Sequence, residues 1–140
     1  MKEITVSSTQ NLQNEIKYSG EEGLLIGDEP VEAGGDGAGP DPYTLLLSAL
    51  GTCTSITLKL YARQKGWPLE RVTVRLRQER VHSTDSADCG TQPDCYIHKI
   101  QRSLALEGNL TDEQRGRLRE IASRCPVHKT LTSKIVIEDL

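Results

Sequence analysis

Residues 34–67 read GGDGAGPDPYTLLLSALGTCTSITLKLYARQKGW, and this stretch decides the fold. Its beginning is rich in glycine and proline, which predicts an irregular loop. Asp41 then provides a good N-cap, and Pro42 suits the first position of a helix. Apolar residues continue at helical spacing, which predicts a helix from Pro42 to about Lys65, ended by Gly66.

The predicted helix is apolar on more than one face. One stripe at helical spacing is formed by Leu46, Ala49, Leu50, Cys53, Thr57 and Leu60, and Leu45, Leu47, Ile56 and Leu58 widen it. A helix that is apolar nearly all round is usually buried. Because one small domain has difficulty surrounding such a helix, we expect a second subunit to complete the burial, and therefore a homodimer.

Short strands are predicted on the N-terminal side of this helix. Residues 3–7, 14–18 and 24–26 have strand patterns, with a turn signal at 20–23. Together they predict a small antiparallel sheet that precedes the glycine-rich loop.

The C-terminal half begins with two strands and continues into a helix. Alternating apolar residues predict strands over 72–81 and 97–107, which pair as an antiparallel hairpin around a polar loop at 83–94. Thr111 and Gln114 then form a capping box, which predicts the start of a second helix.

This second helix carries a cysteine on its apolar stripe. The stripe consists of Leu118, Ile121, Ala122 and Cys125. Pro126 interrupts the helix, a short helical turn follows, and residues 134–138 are predicted as a closing strand. A chain of 140 residues without a linker suits a single domain over residues 1–140.

Composition excludes several classes of function. The 140 residues are 36% hydrophobic and 26% charged, which is typical of a globular domain. A net charge of -3 argues against nucleic acid as a partner. No run of about 18 apolar residues is present, so no membrane span is expected. The N-terminus lacks an apolar signal core, so we expect a cytoplasmic protein.

Cys53 and Cys125 allow two interpretations. Free cysteines commonly pack as small hydrophobic residues. The alternative is a pair of reactive thiols, which requires a stabilised thiolate. For Cys125, a new helical turn beginning at Pro126 offers free N–H groups, and His128 lies three residues further on. Cys53 lies three turns into its helix and needs a donor from elsewhere.

The remaining cysteines lie in or beside the polar loop. With two histidines they give a set of zinc-ligand types, His82, Cys89, Cys95 and His98. The spacing does not match the usual CxxC knuckle, so these residues are weak metal candidates. A redox-labile pair and plain loop cysteines remain alternatives. The GGDGAG loop lacks the Lys-Ser/Thr of a phosphate-binding loop, and no cofactor is predicted.

Three segments resemble the OsmC/Ohr superfamily, particularly its YhfA-like branch. They are residues 34–67, the VTVRLRQERVHSTDSADC segment and the LTDEQRGRLREIASRCPVHKTL segment at 110–131. The cysteine contexts ALGTCTSITL and CPVHKTL are the specific parts of this likeness. The resemblance implies an α+β fold in which antiparallel sheets of two intertwined subunits wrap around long central helices.

The resemblance also implies a redox chemistry. Cys53 matches the peroxidatic position, at which a thiolate attacks an organic hydroperoxide and becomes a sulfenic acid. Cys125 matches the resolving position, which forms a disulfide with that sulfenic acid. A dithiol reductant would restore both thiols, in a role in oxidative stress. The alternative is a non-catalytic protein that binds a small ligand on the same scaffold.

The sequence departs from the family pattern near the start of the long helix. A Glu that supports an activating Arg is expected there, but Tyr43 and Thr44 occupy the stretch, and no Arg precedes Arg63. Tyr43 and Thr44 are therefore candidate substrate-binding residues. A thiolate without the cation is expected to have a higher pKa at Cys53.

Overall fold

A computed structural model describes residues 3–18, 24–82 and 95–140. The chain divides into two compact units, residues 1–48 and 49–140. The first unit contains the N-terminal sheet, and the second contains the long hairpin and both cysteine helices. A single domain over the whole chain stays a prediction.

The first unit contains a three-stranded antiparallel sheet. Its strands are β1 (Ile4–Ser8), β2 (Asn14–Tyr18) and β3 (Leu24–Gly27), in the order β1-β2-β3. The register places Val6 opposite Ile16, and Ile16 opposite Leu25. The predicted sheet is confirmed, with ends that differ by one residue at β1 and β3.

A buried carboxylate organises the loop that follows β3. The Asp28 side chain accepts hydrogen bonds from the N–H groups of Glu29, Asp36 and Ala38, at 2.8, 3.1 and 3.0 Å. These bonds, the one from Ala38 first, lower the pKa of Asp28 although burial opposes them. Asp28 therefore adds three side-chain hydrogen bonds to a loop that also has backbone hydrogen bonds, such as the one from the Gly37 N–H to the Glu29 carbonyl at 3.1 Å.

The long helix α1 extends over Pro42–Lys65, as predicted. The Asp41 side chain accepts from the N–H of Thr44 at 2.9 Å and from its hydroxyl at 2.7 Å. At the other end, Gly66 has a φ of 71°, and the N–H of Trp67 reaches back to the carbonyl of Ala62 at 2.9 Å. Both ends of α1 are thus set by local residues.

The buried face of α1 differs from the predicted stripe. The fully buried residues are Leu50, Thr54, Leu58 and Ala62. Ile56 and Leu60 remain 53% and 54% exposed. The single chain thus buries one face of α1, as expected of a small domain that has difficulty surrounding this helix, and the homodimer stays a prediction.

The second unit is built around a long antiparallel hairpin. Its strands are β4 (Arg71–His82) and β5 (Tyr96–Glu107), paired from Arg71 opposite Glu107 to His82 opposite Tyr96. The predicted hairpin is confirmed. The predicted polar loop at 83–94 lies outside the described residues.

The C-terminal helices are α2 (Asp112–Ile121) and α3 (Pro126–Leu131), separated by a 3₁₀ turn at Ala122–Arg124. The predicted capping box is confirmed, because Gln114 N–H donates to the Thr111 hydroxyl and Thr111 N–H donates to the Gln114 side chain. The helical path thus breaks at Cys125, as the proline that follows it predicts.

The core of the second unit joins these elements. It consists of Leu58, Ala62, Leu69, Leu106, Leu118, Ile121 and Ala122. The closing strand predicted at 134–138 is wrong, because these residues form no regular element. Ile135 and Ile137 are 56% and 86% exposed, and an apolar alternation does not make a strand without a neighbouring strand to pair with.

Helix α1 is long and apolar enough, by length and composition, to cross a membrane, alone among the helices of the described residues. The expectation that no segment spans a membrane stays a prediction. One helix of this kind is weak evidence for a span, because the core helix of a soluble protein passes the same test.

Candidate functional site

Two free thiols meet at the start of α3. Cys53 lies on α1 and is half-buried, whereas Cys125 precedes α3 and is 0% exposed. The N–H of Val127 donates to Cys53 Sγ at 3.5 Å, and the N–H of His128 donates to Cys125 Sγ at 3.3 Å. The two side chains are close enough for each to shift the pKa of the other. The structure therefore brings the two predicted site cysteines together.

The local sequence explains this arrangement. Cys125 has a ψ of 134°, which takes it out of the helix and makes it the N-cap of α3. Pro126 follows at the first helical position, where a missing N–H removes no helical bond. The next amides, of Val127 and His128, have no carbonyl partner within α3, so the two sulfurs accept them. Val127 is the outside donor that Cys53 was expected to need.

The environment moves the two thiol pKa values in opposite directions. Burial raises the pKa of Cys53, and contact with Cys125 adds to this, against the opposing effect of the Val127 N–H. Burial also acts to raise the pKa of Cys125, but hydrogen bonds from Cys53, the His128 N–H and Thr54 outweigh it, and the net pKa is lowered. The pKa of Cys53 is therefore raised, which is the direction that the sequence predicted, and burial is the main cause. The reduced pair ionises first at Cys125, with Cys53 as the protonated partner.

Arg102 connects to this pair through a threonine. Its Nη1 donates to Thr54 Oγ1 at 3.0 Å and to the carbonyl of Ala122 at 3.2 Å. Thr54 is 0% exposed, and its hydrogen bond helps to lower the pKa of Cys125. The network therefore places a guanidinium one hydroxyl away from the thiol that ionises first.

Sequence reasoning missed both Arg102 and Thr54, although a signal for Arg102 was present. Ile100, Arg102 and Leu104 share one face of β5, and all three are at least partly buried. A charged residue within an inward-facing apolar alternation is uncommon and needs a partner inside. The search for a cation before α1 overlooked this later position.

A small cavity lies beside the network. It has a volume of about 220 Å³ and is lined by Leu50, His98, Ile100, Arg102, His128, Leu131 and Thr132. Neither cysteine is among these residues. The cavity is therefore lined by Arg102 and not by the thiol pair.

The candidate substrate-binding residues belong to the first unit. Thr44 is held by Asp41 in the first turn of α1, and Tyr43 is 51% exposed. Their role in binding substrate stays a prediction.

The weak metal candidates are only partly described, since Cys89 lies outside the described residues. His82 packs edge-to-face on Tyr96 with ring centroids 5.1 Å apart, and His98 Nδ1 lies 2.7 Å from Gln78 Nε2. Cys95 is disulfide-bonded. Over residues 3–18, 24–82 and 95–140, no three potential ligands cluster, so the set of four stays untested.

Comparison with known proteins assigns the family. The family of OsmC-like proteins matches residues 34–138, well over half of the chain. The chain therefore belongs to the OsmC-like family, and the predicted α+β OsmC-like fold is confirmed. No protein of curated function matches the chain significantly.

Solved structures give the same fold. An OsmC-like protein from Mycoplasma pneumoniae has a TM-score of 0.73 at 19% identity, covering 94% of this chain and 86% of that chain. The organic hydroperoxide resistance protein OsmC from Legionella pneumophila gives 0.67 at 16%, covering 94% and 89%. The organic hydroperoxide resistance protein OhrB of Bacillus subtilis gives 0.63 at 15%, covering 94% and 90%.

Proposed function

We propose that this protein is a thiol-dependent peroxidase that reduces organic hydroperoxides, with Cys53 as the attacking thiol and Cys125 as the resolving thiol. The observation that carries this proposal is the contact between two free cysteines, each hydrogen-bonded to an amide at the start of α3. Two similar proteins are named for organic hydroperoxide resistance, which supports the substrate class.

Exposure and charge divide the roles between the two cysteines. A hydroperoxide can approach Cys53, which is partly exposed, but not Cys125, which is 0% exposed. Because Cys125 ionises first, its thiolate is positioned to accept the proton of the Cys53 thiol. An adjacent base of this kind activates a nucleophile whose own pKa is unfavourable.

The proposed cycle then balances in three steps. The Cys53 thiolate attacks the outer oxygen of ROOH, the O–O bond breaks, and Cys53 becomes a sulfenic acid. The leaving alkoxide takes from Cys125 the proton that Cys125 accepted from Cys53, which gives an alcohol and restores the Cys125 thiolate. The Cys125 thiolate next attacks the sulfenic sulfur, which forms a disulfide and releases hydroxide. A dithiol reductant finally reduces this disulfide and becomes a disulfide itself.

The test measures consumption of cumene hydroperoxide in the presence of a dithiol. Cys53→Ser is expected to abolish turnover and the formation of a sulfenic acid that dimedone can trap. Cys125→Ser is expected to lose multiple turnover but to keep a trappable sulfenic acid at Cys53. Ser103→Ala, which changes an exposed position of β5 and leaves every cysteine in place, serves as the control and should retain activity. Equal turnover by wild type and Cys53→Ser would disprove the proposal.

A second candidate function is non-catalytic binding of a small ligand with inert thiols. The raised pKa of Cys53 favours it, because a protonated thiol is a weak nucleophile. Fast oxidation of Cys53 by stoichiometric hydroperoxide would exclude this alternative, whereas a Cys53 that survives such treatment would support it.

We also propose that the protein acts as a cytoplasmic homodimer. The exposed side chains of Ile56 and Leu60 on α1 support a covering subunit, since apolar residues on a core helix favour burial. Light scattering on purified protein would test this, and a monomeric mass at micromolar concentration would contradict it.

A further inference from the structure

We propose that the cavity between α1, β5 and α3 binds a small organic carboxylate, which pairs with the Arg102 guanidinium and lays its apolar part against Leu50, Ile100 and Leu131. Each of these four residues lines the cavity. Neither cysteine does, so binding there does not depend on peroxide reduction.

The first argument is the hydrogen bonding of Arg102. A guanidinium has five N–H donors in a planar fork. Both hydrogen bonds that Arg102 donates within the described residues, to Thr54 and to the Ala122 carbonyl, come from Nη1. The Nε–H and the two Nη2 hydrogens have no acceptor among the residues that the structure describes. These three donors form the edge that pairs with a carboxylate through two parallel hydrogen bonds.

The second argument is charge. Arg102 is half-buried, and none of the ion pairs within the described ranges includes it. The described lining of the cavity contains no carboxylate, but it does contain His98 and His128 beside Arg102. A partly desolvated guanidinium that forms no direct ion pair with a described carboxylate is unfavourable, and an anion in the cavity would relieve this.

The third argument is size and apolar lining. A cavity of roughly 150 Å³ lined by aliphatic and aromatic side chains holds one benzene molecule. The cavity here is about 220 Å³, which suits a ring or a short chain with one carboxylate attached. Drug-sized ligands need roughly 300 Å³ or more. The three aliphatic side chains favour an organic anion over inorganic phosphate.

Calorimetric titration of the full chain with benzoate tests this site. Wild type is expected to bind benzoate. It should bind benzyl alcohol, which lacks the carboxylate, and inorganic phosphate, which lacks the apolar ring, at least about tenfold more weakly. Arg102→Met is expected to weaken benzoate binding by about tenfold or more, and Arg102→Lys by less.

Two further variants separate the site from general effects. Arg77→Met removes the same charge from an exposed position of β4 and should leave benzoate binding unchanged. Leu131→Phe keeps Arg102 but fills the cavity, so it should also abolish binding even if Arg102→Met folds poorly. Wild type that fails to bind benzoate at millimolar concentration would overturn the proposal, as would equal binding of phosphate or unchanged binding in folded Arg102→Met.

Discussion

Arg102 on β5 donates a hydrogen bond of 3.0 Å to the hydroxyl of Thr54, which lies one residue after Cys53 on α1. Thr54 in turn contributes to lowering the pKa of Cys125. A guanidinium from a strand that follows α1 in the chain thus contacts a hydroxyl that contributes to the pKa of the thiol pair. This relationship gives the site a cation that the stretch before Arg63 does not contain.

Thr54→Val is expected to raise the pKa of Cys125. The substitution removes the hydroxyl that contributes to lowering the pKa of Cys125 and that donates to the Leu50 carbonyl at 2.8 Å, and it keeps the side-chain shape. The measurement is the ultraviolet absorbance of the thiolate against pH in a Cys53→Ser background. Thr54→Ser should retain a lower value than Thr54→Val.

Thr57→Val provides the matched control. The Thr57 hydroxyl donates to the carbonyl of Cys53 at 2.8 Å, and its contact lowers the pKa of Cys53. In the Cys53→Ser background, Thr57→Val should therefore leave the titration of Cys125 unchanged. Equal shifts from Thr54→Val and Thr57→Val would show that Thr54 has no specific role.

Asp28→Asn is expected to destabilise the protein at neutral pH. The carboxylate accepts three backbone N–H bonds, whereas an amide has one oxygen to accept them. The folded-state pKa of Asp28 lies below its ordinary value of 3.8, so its contribution is present above that value and is lost as pH falls through the lower folded pKa.

Urea denaturation of wild type and Asp28→Asn at several pH values measures this effect. The difference in the free energy of unfolding should be largest near neutral pH and should shrink below about pH 3. A difference that stays constant down to strong acid would mean that ionisation of Asp28 contributes nothing.

Two glycine-to-alanine substitutions are expected to have opposite signs. Gly116 lies inside α2, and an added Cβ meets nothing within 4 Å, so Gly116→Ala should stabilise by about 0.4–1 kcal/mol. Gly108 has a φ of 140°, and its added Cβ would lie 2.0 Å from the Pro68 carbonyl oxygen. Gly108→Ala should therefore destabilise by about 1–3 kcal/mol.

The two glycine variants control for each other, because they make the same chemical change in the same unit of the chain. Thermal unfolding followed by circular dichroism gives both signs in one experiment. Stabilisation by Gly108→Ala would contradict the tight contact with Pro68.

Local signals in the sequence predicted the elements well. Asp41, Pro42 and Gly66 set the ends of α1 through their own neighbours, and Thr111 with Gln114 did the same for α2. Such caps depend on residues a few positions apart, so a sequence can reveal them.

Contacts between distant segments were harder to predict. The fully buried stripe of α1 passes through Thr54 rather than Cys53, because the packing of other elements selects one face of a helix that is apolar on several. The alternation at 134–138 indicated a strand, but a strand also needs a partner that no local pattern specifies. The link from Arg102 to Thr54 spans 48 positions and shows only as a charge on an apolar face.

The backbone hydrogen bonds at the start of α3 depend on the oxidation state of the two thiols. Sulfur atoms, rather than the usual side-chain oxygens, accept the first amides of this helix. A thiolate is a strong acceptor and a disulfide sulfur a weak one, so formation of the proposed disulfide is expected to weaken the hydrogen bonds in the first turn of α3. Deuterium uptake at the amides of Val127 and His128 would then report the fraction of the protein that is oxidised.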